Sequence, residues 1–246
     1  MIIDTHVHLG RGERLADTYQ LDCTLEAVLG AMAEAGVDKT CVMPVAYADY
    51  GLGLEEIRDA VAAHPDQLIG YARVNLNQHG RALAQLRRCF DEYGFRGVKI
   101  HPQLGDGFPT RRFMELLSGY GRPLLMHTPA ELAGIEAIAH LARAYPEVPV
   151  IMGHMGGFMV SLPGFVKLCA LEAKQIPNLY LDTGFVYLHH WIGLAVEICG
   201  PEKVLFASDG PVLHPAIALR QIELCHFSEA ERALILGDNA KRLLGL

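Results

Sequence analysis

Residues 1–8 read Met1-Ile2-Ile3-Asp4-Thr5-His6-Val7-His8. Ile2, Ile3 and Val7 favour a strand. Side chains two apart on a strand share a face, so His6 and His8 point the same way and alternate with Ile3, Thr5 and Val7. Two imidazoles so placed can grip one metal ion from one side. A surface strand has no physical need for that pair, and a buried one must find partners for both. H-x-H alone is a weak signal. Its weight depends on whether more ligands stand at the ends of later strands.

Apolar runs bounded by Gly and Pro continue the pattern outward. Strands are expected over 39–43, 68–75, 97–101, 123–127, 149–154, 179–182 and 204–207. Helices are expected from Thr24 to Gly36, then over 54–63, 80–92, 111–117, 131–145, 162–175, 190–199 and 215–225. A helical tail over 228–236 and 239–243 opens on Ser228 and Glu231, spaced as a capping box. Eight β-then-α units with continuously apolar strands imply a parallel sheet covered by helices. Eight units in 246 residues fit one closed TIM (β/α)8 barrel, an α/β fold spanning 1–246 as a single domain with a C-terminal helical tail.

Hydrophobic residues make up 51% of the chain and charged residues 20%, which excludes a disordered chain. Net charge is −7 with no basic run, which argues against nucleic acid as a partner. No apolar run reaches the ~20 residues of a membrane span, and the N-terminal strand lacks the pattern of a signal peptide. The six cysteines form no C-x-x-C pair and fall mainly in apolar stretches, as expected of free thiols in the reducing cytoplasm. An acidic barrel with short loops is compatible with a homo-oligomer in which a neighbour covers its mouth.

Barrel chemistry sits at the C-terminal ends of the strands. Those ends carry His6 and His8, then Arg73 and Asn75, Lys99 and His101, His127, His154, and Ser208-Asp209. Five of the 12 histidines therefore stand at strand ends, where chance would scatter them over surface helices. His6, His8 and His127 can supply three nitrogens to a divalent ion, and Asp209 an oxygen. Such an ion lowers the pKa of bound water toward ~7. His154 is placed to orient that water or carry its proton, and Asp209 to act as both ligand and proton acceptor. Zinc is the first expectation for the single ion, with manganese, iron and cobalt also compatible. Arg73, Lys99 and His101 suit a small, carboxylated substrate. Asp4 reads as an orienting group, with Lys99 paired to it or to substrate. Arg11 and Arg14, in the first loop, read as solvated surface.

Several motifs together resemble the amidohydrolase superfamily. They are Asp4-Thr-His-Val-His8, His127-Thr128, Gly153-His-Met-Gly-Gly157 and Ser208-Asp-Gly-Pro211. The ending, Gly237-Asp-Asn-Ala-Lys-Arg-Leu-Leu-Gly-Leu246, is similar to the branch that includes aminocarboxymuconate-semialdehyde decarboxylase. The resemblance covers essentially the whole chain. It implies a TIM barrel with one metal held by His6, His8, His127 and Asp209, and His154 near the catalytic water. The expectation is a metal-dependent hydrolase acting on a C–O or C–N bond. The alternative on the same site is a non-oxidative decarboxylase.

Overall fold

The computed structural model describes residues 1–11, 20–47, 49–157 and 163–246. Eight strands run in sequence order around one sheet, each parallel to the next: β1 (Ile3–Leu9), β2 (Lys39–Pro44), β3 (Leu68–Arg73), β4 (Gly97–Ile100), β5 (Leu124–His127), β6 (Val150–Gly153), β7 (Leu179–Asp182) and β8 (Val204–Leu205). Backbone bonds close the ring between the last strand and the first. Thr5 N donates to Phe206 O at 3.0 Å, His8 N to Gly210 O at 2.7 Å, and Asp209 N to His6 O at 2.9 Å. The chain is therefore a TIM barrel.

A helix follows each strand: α1 (Leu25–Ala35), α2 (Tyr50–Ala63), α3 (Gly80–Asp91), α4 (Arg111–Tyr120), α5 (Leu132–Ala144), α6 (Pro163–Gln175), α7 (His189–Cys199) and α8 (Pro215–Leu224). The tail adds α9 (Glu229–Ala233), a π-helical turn over Leu234–Asp238, and α10 (Asn239–Leu244). Thr24 caps α1 by accepting from Ala27 N, and Gly36 ends it in the left-handed region. The Ser228–Glu231 capping box forms as the spacing predicts. Of the first-loop arginines, Arg14 lies outside the described residues, as does Leu162 at the expected start of α6.

Some boundaries differ from expectation. α2 starts at Tyr50, four residues early, because the Asp49 side chain accepts from Gly51 N and offsets the glycines' poor propensity. α4 runs on to Tyr120, where Gly121 takes the left-handed conformation that stops it. β3 ends at Arg73 because Asn75 instead accepts from Asn77 N and caps a short turn. The eighth strand pairs with β7 only through Val204 and Leu205; beyond them Phe206 O, Asp209 N and Gly210 O bond to β1.

Alternation splits the strand residues into two layers. Ile3, Cys41, Met43, Ile69, Tyr71, Leu125, Ile151 and Leu205 form the inner core, joined by Ala240 and Leu244 of α10. Their neighbours Val42, Ala72, Val98, Ile100, Met126, Met152 and Leu181 pack outward against the helices. By the same parity Arg73, Lys99, His127 and Asp182 project inward above the apolar layers.

β1 corrects the simple alternation read from its sequence. Ile3 faces inward, so strict period two would send Val7 inward as well. Instead the register shifts: Asp4 pairs with Thr40, yet Val7 pairs with Val42, three residues against two. This bulge moves Val7 into the outer layer and turns His6 and His8 inward with Ile3. Asp4 then faces away from the centre. It accepts from His6 N at 3.2 Å and Ser208 N at 3.0 Å, and from Ser208 Oγ at 2.5 Å. The carboxylate thus ties β1 to the segment carrying Asp209.

Candidate metal centre

His6, His8 and Asp209 meet above the inner core. His6 Nε2 lies 3.2 Å and His8 Nε2 3.4 Å from Asp209 Oδ1. The three ligand atoms lie within 4.8 Å of one another and all three residues are buried. Ligands at ~2.1 Å from a tetrahedral ion stand ~3.4 Å apart, so this spacing suits one small divalent cation. Burial, followed by the charge of Lys99, holds both imidazoles well below their usual pKa. They are therefore neutral, the form that ligates. Asp209 has φ +64°, a conformation rare for a residue with a Cβ. Burial raises its carboxyl to about 6.

His127 stands one place further out. Among the described residues it belongs to neither group of ligand atoms lying within 4.8 Å of one another. Its Nδ1 lies 3.1 Å from His154 Nε2, and its ring stacks on His101 at 3.7 Å. His154 adopts φ +61° directly after β6, and its Nδ1 lies 2.7 Å from Gly184 O. A carbonyl only accepts, so His154 carries its proton on Nδ1. His127 Nδ1 must then donate to His154 Nε2, which leaves the His127 lone pair on Nε2.

The three candidate substrate-binding residues sit differently. Lys99 is fully buried, with Nζ 2.8 Å from His6 Nε2, not from Asp4. Burial lowers its pKa to about 8. Arg73 is also fully buried, and its Nε donates to Asp106 Oδ2 at 2.8 Å; its Nη2 has no partner among the described residues. His101 Nδ1 has no partner among the described residues, and its backbone N–H donates to Asp106 Oδ2 at 2.8 Å. Tyr50 completes this network by donating its hydroxyl to Asp106 Oδ1 at 2.6 Å. Tyr47 hydrogen-bonds Glu56 and accepts from Arg11 N at 2.8 Å.

Sequence reasoning missed two carboxylates. Asp106 lies in a loop, and nothing local announces it. Asp182 was within reach, since it ends β7 as the candidate ligands end theirs. It is fully buried, with Oδ2 2.9 Å from His6 Nδ1. Its Oδ1 accepts from His154 N at 2.7 Å and Gly184 N at 3.0 Å. Asp182, His6 and His154 form the second group of potential ligands within 4.8 Å.

All six cysteines are free thiols, and five are buried. No helix among the described residues is long and apolar enough to cross a membrane.

A family model described as amidohydrolase matches residues 3–246. A gamma-resorcylate decarboxylase of Polaromonas sp. is 22% identical over 241 residues, covering 77% of this chain and 74% of that protein. A 2-keto-4-carboxy-3-hexenedioate hydratase of Sphingobium sp. is 26% identical over 206 residues, covering 66% of this chain and 60% of that protein. Among solved structures, a dihydroxybenzoic acid decarboxylase of Polaromonas sp., with bound manganese and the inhibitor 2-nitroresorcinol, aligns with a TM-score of 0.76. It is 19% identical, with 100% of this chain and 97% of that chain covered. The last likeness is one of fold.

Proposed function

The chain belongs to the amidohydrolase family, and from that premise we propose that it is a divalent-metal-dependent, non-oxidative decarboxylase of a small carboxylated substrate. The observation that carries this reading is the convergence of His6, His8 and Asp209 beside the buried cation Lys99. The hydrolase expected from the sequence ranks behind it. A decarboxylase and a hydratase are the two relatives described above, and both have carboxylated compounds in their names.

In this proposal His6, His8 and Asp209 hold the ion, with His127 joining through its Nε2 lone pair. When bound, a divalent ion supplies positive charge that fixes substrate oxygens and offsets charge developing in the transition state. Lys99 loses its acceptor once His6 Nε2 is engaged, and its ammonium turns to the substrate carboxylate. Arg73 Nη2 and His101 Nδ1 are buried polar atoms without partners among the described residues, and a second oxygen of the substrate satisfies them. Asp209 relays a proton from solvent to the carbon that releases CO2. The C–C electron pair takes that proton, and solvent restores it to Asp209. His154, held neutral by burial, accepts from His127 Nδ1 and so keeps the His127 lone pair on Nε2.

The test is product analysis with the Mn²⁺- or Zn²⁺-loaded chain and a panel of hydroxylated benzoates and unsaturated dicarboxylates. The proposal expects CO2 and a product lighter by that mass. A product heavier by one water, without CO2, would restore the hydrolase or hydratase reading.

A further inference from the structure

Asp182 is tied down at both oxygens. Oδ1 accepts two backbone N–H groups, from His154 at 2.7 Å and Gly184 at 3.0 Å. Backbone amides only donate, so this oxygen cannot be exchanged for a donor without leaving two buried N–H groups facing it. Oδ2 is thereby fixed toward His6 Nδ1 at 2.9 Å. Gly184, which donates to Oδ1, also accepts from His154 Nδ1 through its carbonyl at 2.7 Å. The carboxylate is thus clamped by the same short segment that orients His154.

From this we infer that Asp182 is a positioning residue that sets which nitrogen of His6 carries the proton, and so decides whether His6 presents a lone pair to a cation. The assignment follows from both sides of the ring. Asp182 Oδ2 accepts, which puts the proton on Nδ1. On the opposite side Lys99 Nζ, an ammonium that only donates, lies 2.8 Å from Nε2, which requires a lone pair there. That lone pair also lies 3.2 Å from Asp209 Oδ1, at the mouth of the candidate ligand set. The consequence for metal rests on the metal-site reading above; the tautomer itself does not.

The clamp makes the two simplest substitutions act in an unusual order. In Asp182→Asn the amide oxygen must stay on the two backbone N–H groups. The amide NH2 then faces His6 Nδ1 and donates to it. His6 is forced to carry its proton on Nε2, and the ligand lone pair is lost. Asp182→Ala removes the clamp but imposes no wrong proton, and Lys99 still favours a lone pair on His6 Nε2. A role in filling space or fixing backbone predicts the reverse, because Asn is the closest isostere and retains the Oδ1 bonds.

The experiment combines Mn²⁺ titration of the three chains with ¹⁵N imidazole spectra recorded before metal is added. Changes to residues that orient a metal-bound histidine typically weaken metal affinity ~10–100-fold. The expected order is wild type, then Ala weaker by ~10-fold, then Asn weaker by about 100-fold. The spectra should show His6 protonated on Nδ1 in the wild type and on Nε2 in Asp182→Asn. A Lys99→Met chain, which leaves the clamp intact, should keep the wild-type tautomer even if the Asp182 variants fold poorly. Asn binding Mn²⁺ more tightly than Ala, an unchanged His6 tautomer in Asn, or a mixed tautomer in Lys99→Met would overturn the inference. A wild-type chain that takes up no Mn²⁺ would count against the metal reading, while the spectra would still decide the role of Asp182.

Discussion

Replacing Asp106 with alanine should reveal how the barrel holds a fully buried arginine. Arg73 is 0% exposed and Asp106 1% exposed, and their 2.8 Å contact is the only charge-to-charge contact of Arg73 among the described residues. Removing one partner of a buried pair costs ~3–5 kcal/mol, because the other charge stays buried without compensation. Asp106→Ala also strips the acceptor from the Tyr50 hydroxyl and the His101 N–H, each worth about 1 kcal/mol net. These losses share one network and do not add fully. The expected destabilisation is about 4 kcal/mol, a large share of the ~5–15 kcal/mol typical of a folded chain. Urea denaturation with a shared m-value measures it directly. A second chain carrying both Arg73→Met and Asp106→Leu should recover most of the loss, since an apolar pair carries no desolvation penalty. A loss of under ~1 kcal/mol in Asp106→Ala would refute the reasoning, because a surface ion pair would give the same value.

Other perturbations probe separate parts of the account. Gly97→Ala places a Cβ 2.5 Å from the Tyr71 ring inside the barrel and should cost ~1–3 kcal/mol by overpacking, read by urea denaturation. Ser228→Ala removes the capping box at α9 and should cost ~1 kcal/mol, lowering Tm by roughly 2–4 °C in a calorimetric scan. Stripping the protein with a chelator should lower Tm, and Mn²⁺ at a hundred times its Kd should restore about 2.7 kcal/mol. His8→Ala should abolish that Mn²⁺-dependent shift while leaving the chelated baseline nearly unmoved.

The barrel was legible because its signals are local. Short apolar runs stop at Pro44, Pro102 and Gly153, and Gly36 stops the first helix, so eight units can be counted without tertiary knowledge. The bulge in β1 was not legible. Asp4-Thr5-His6 carries no glycine, and its irregular register depends on pairing with Thr40 and Val42. The face-sharing of His6 and His8 was readable, but not that Ile3 shares it. The site divides the same way. His6, His8 and Asp209 follow from the rule that barrel chemistry sits at strand ends, and Asp182 obeys the same rule although it was passed over. Asp106 does not: it reaches Arg73, Tyr50 and His101 only once its loop packs against the ends of β3 and β4 and the start of α2. The pairing of Lys99 with His6 in place of Asp4 has the same origin. The bulge turns Asp4 to the outer side of the wall, where Ser208 claims it.

Metal content tests the central claim most directly. Elemental analysis of the wild-type chain, after loading with Mn²⁺ or Zn²⁺ and exhaustive dialysis, should find one ion per chain, and the same treatment of Asp209→Ala should find none. Metal absent from the wild type, or undiminished in the folded Asp209 variant, would contradict the account.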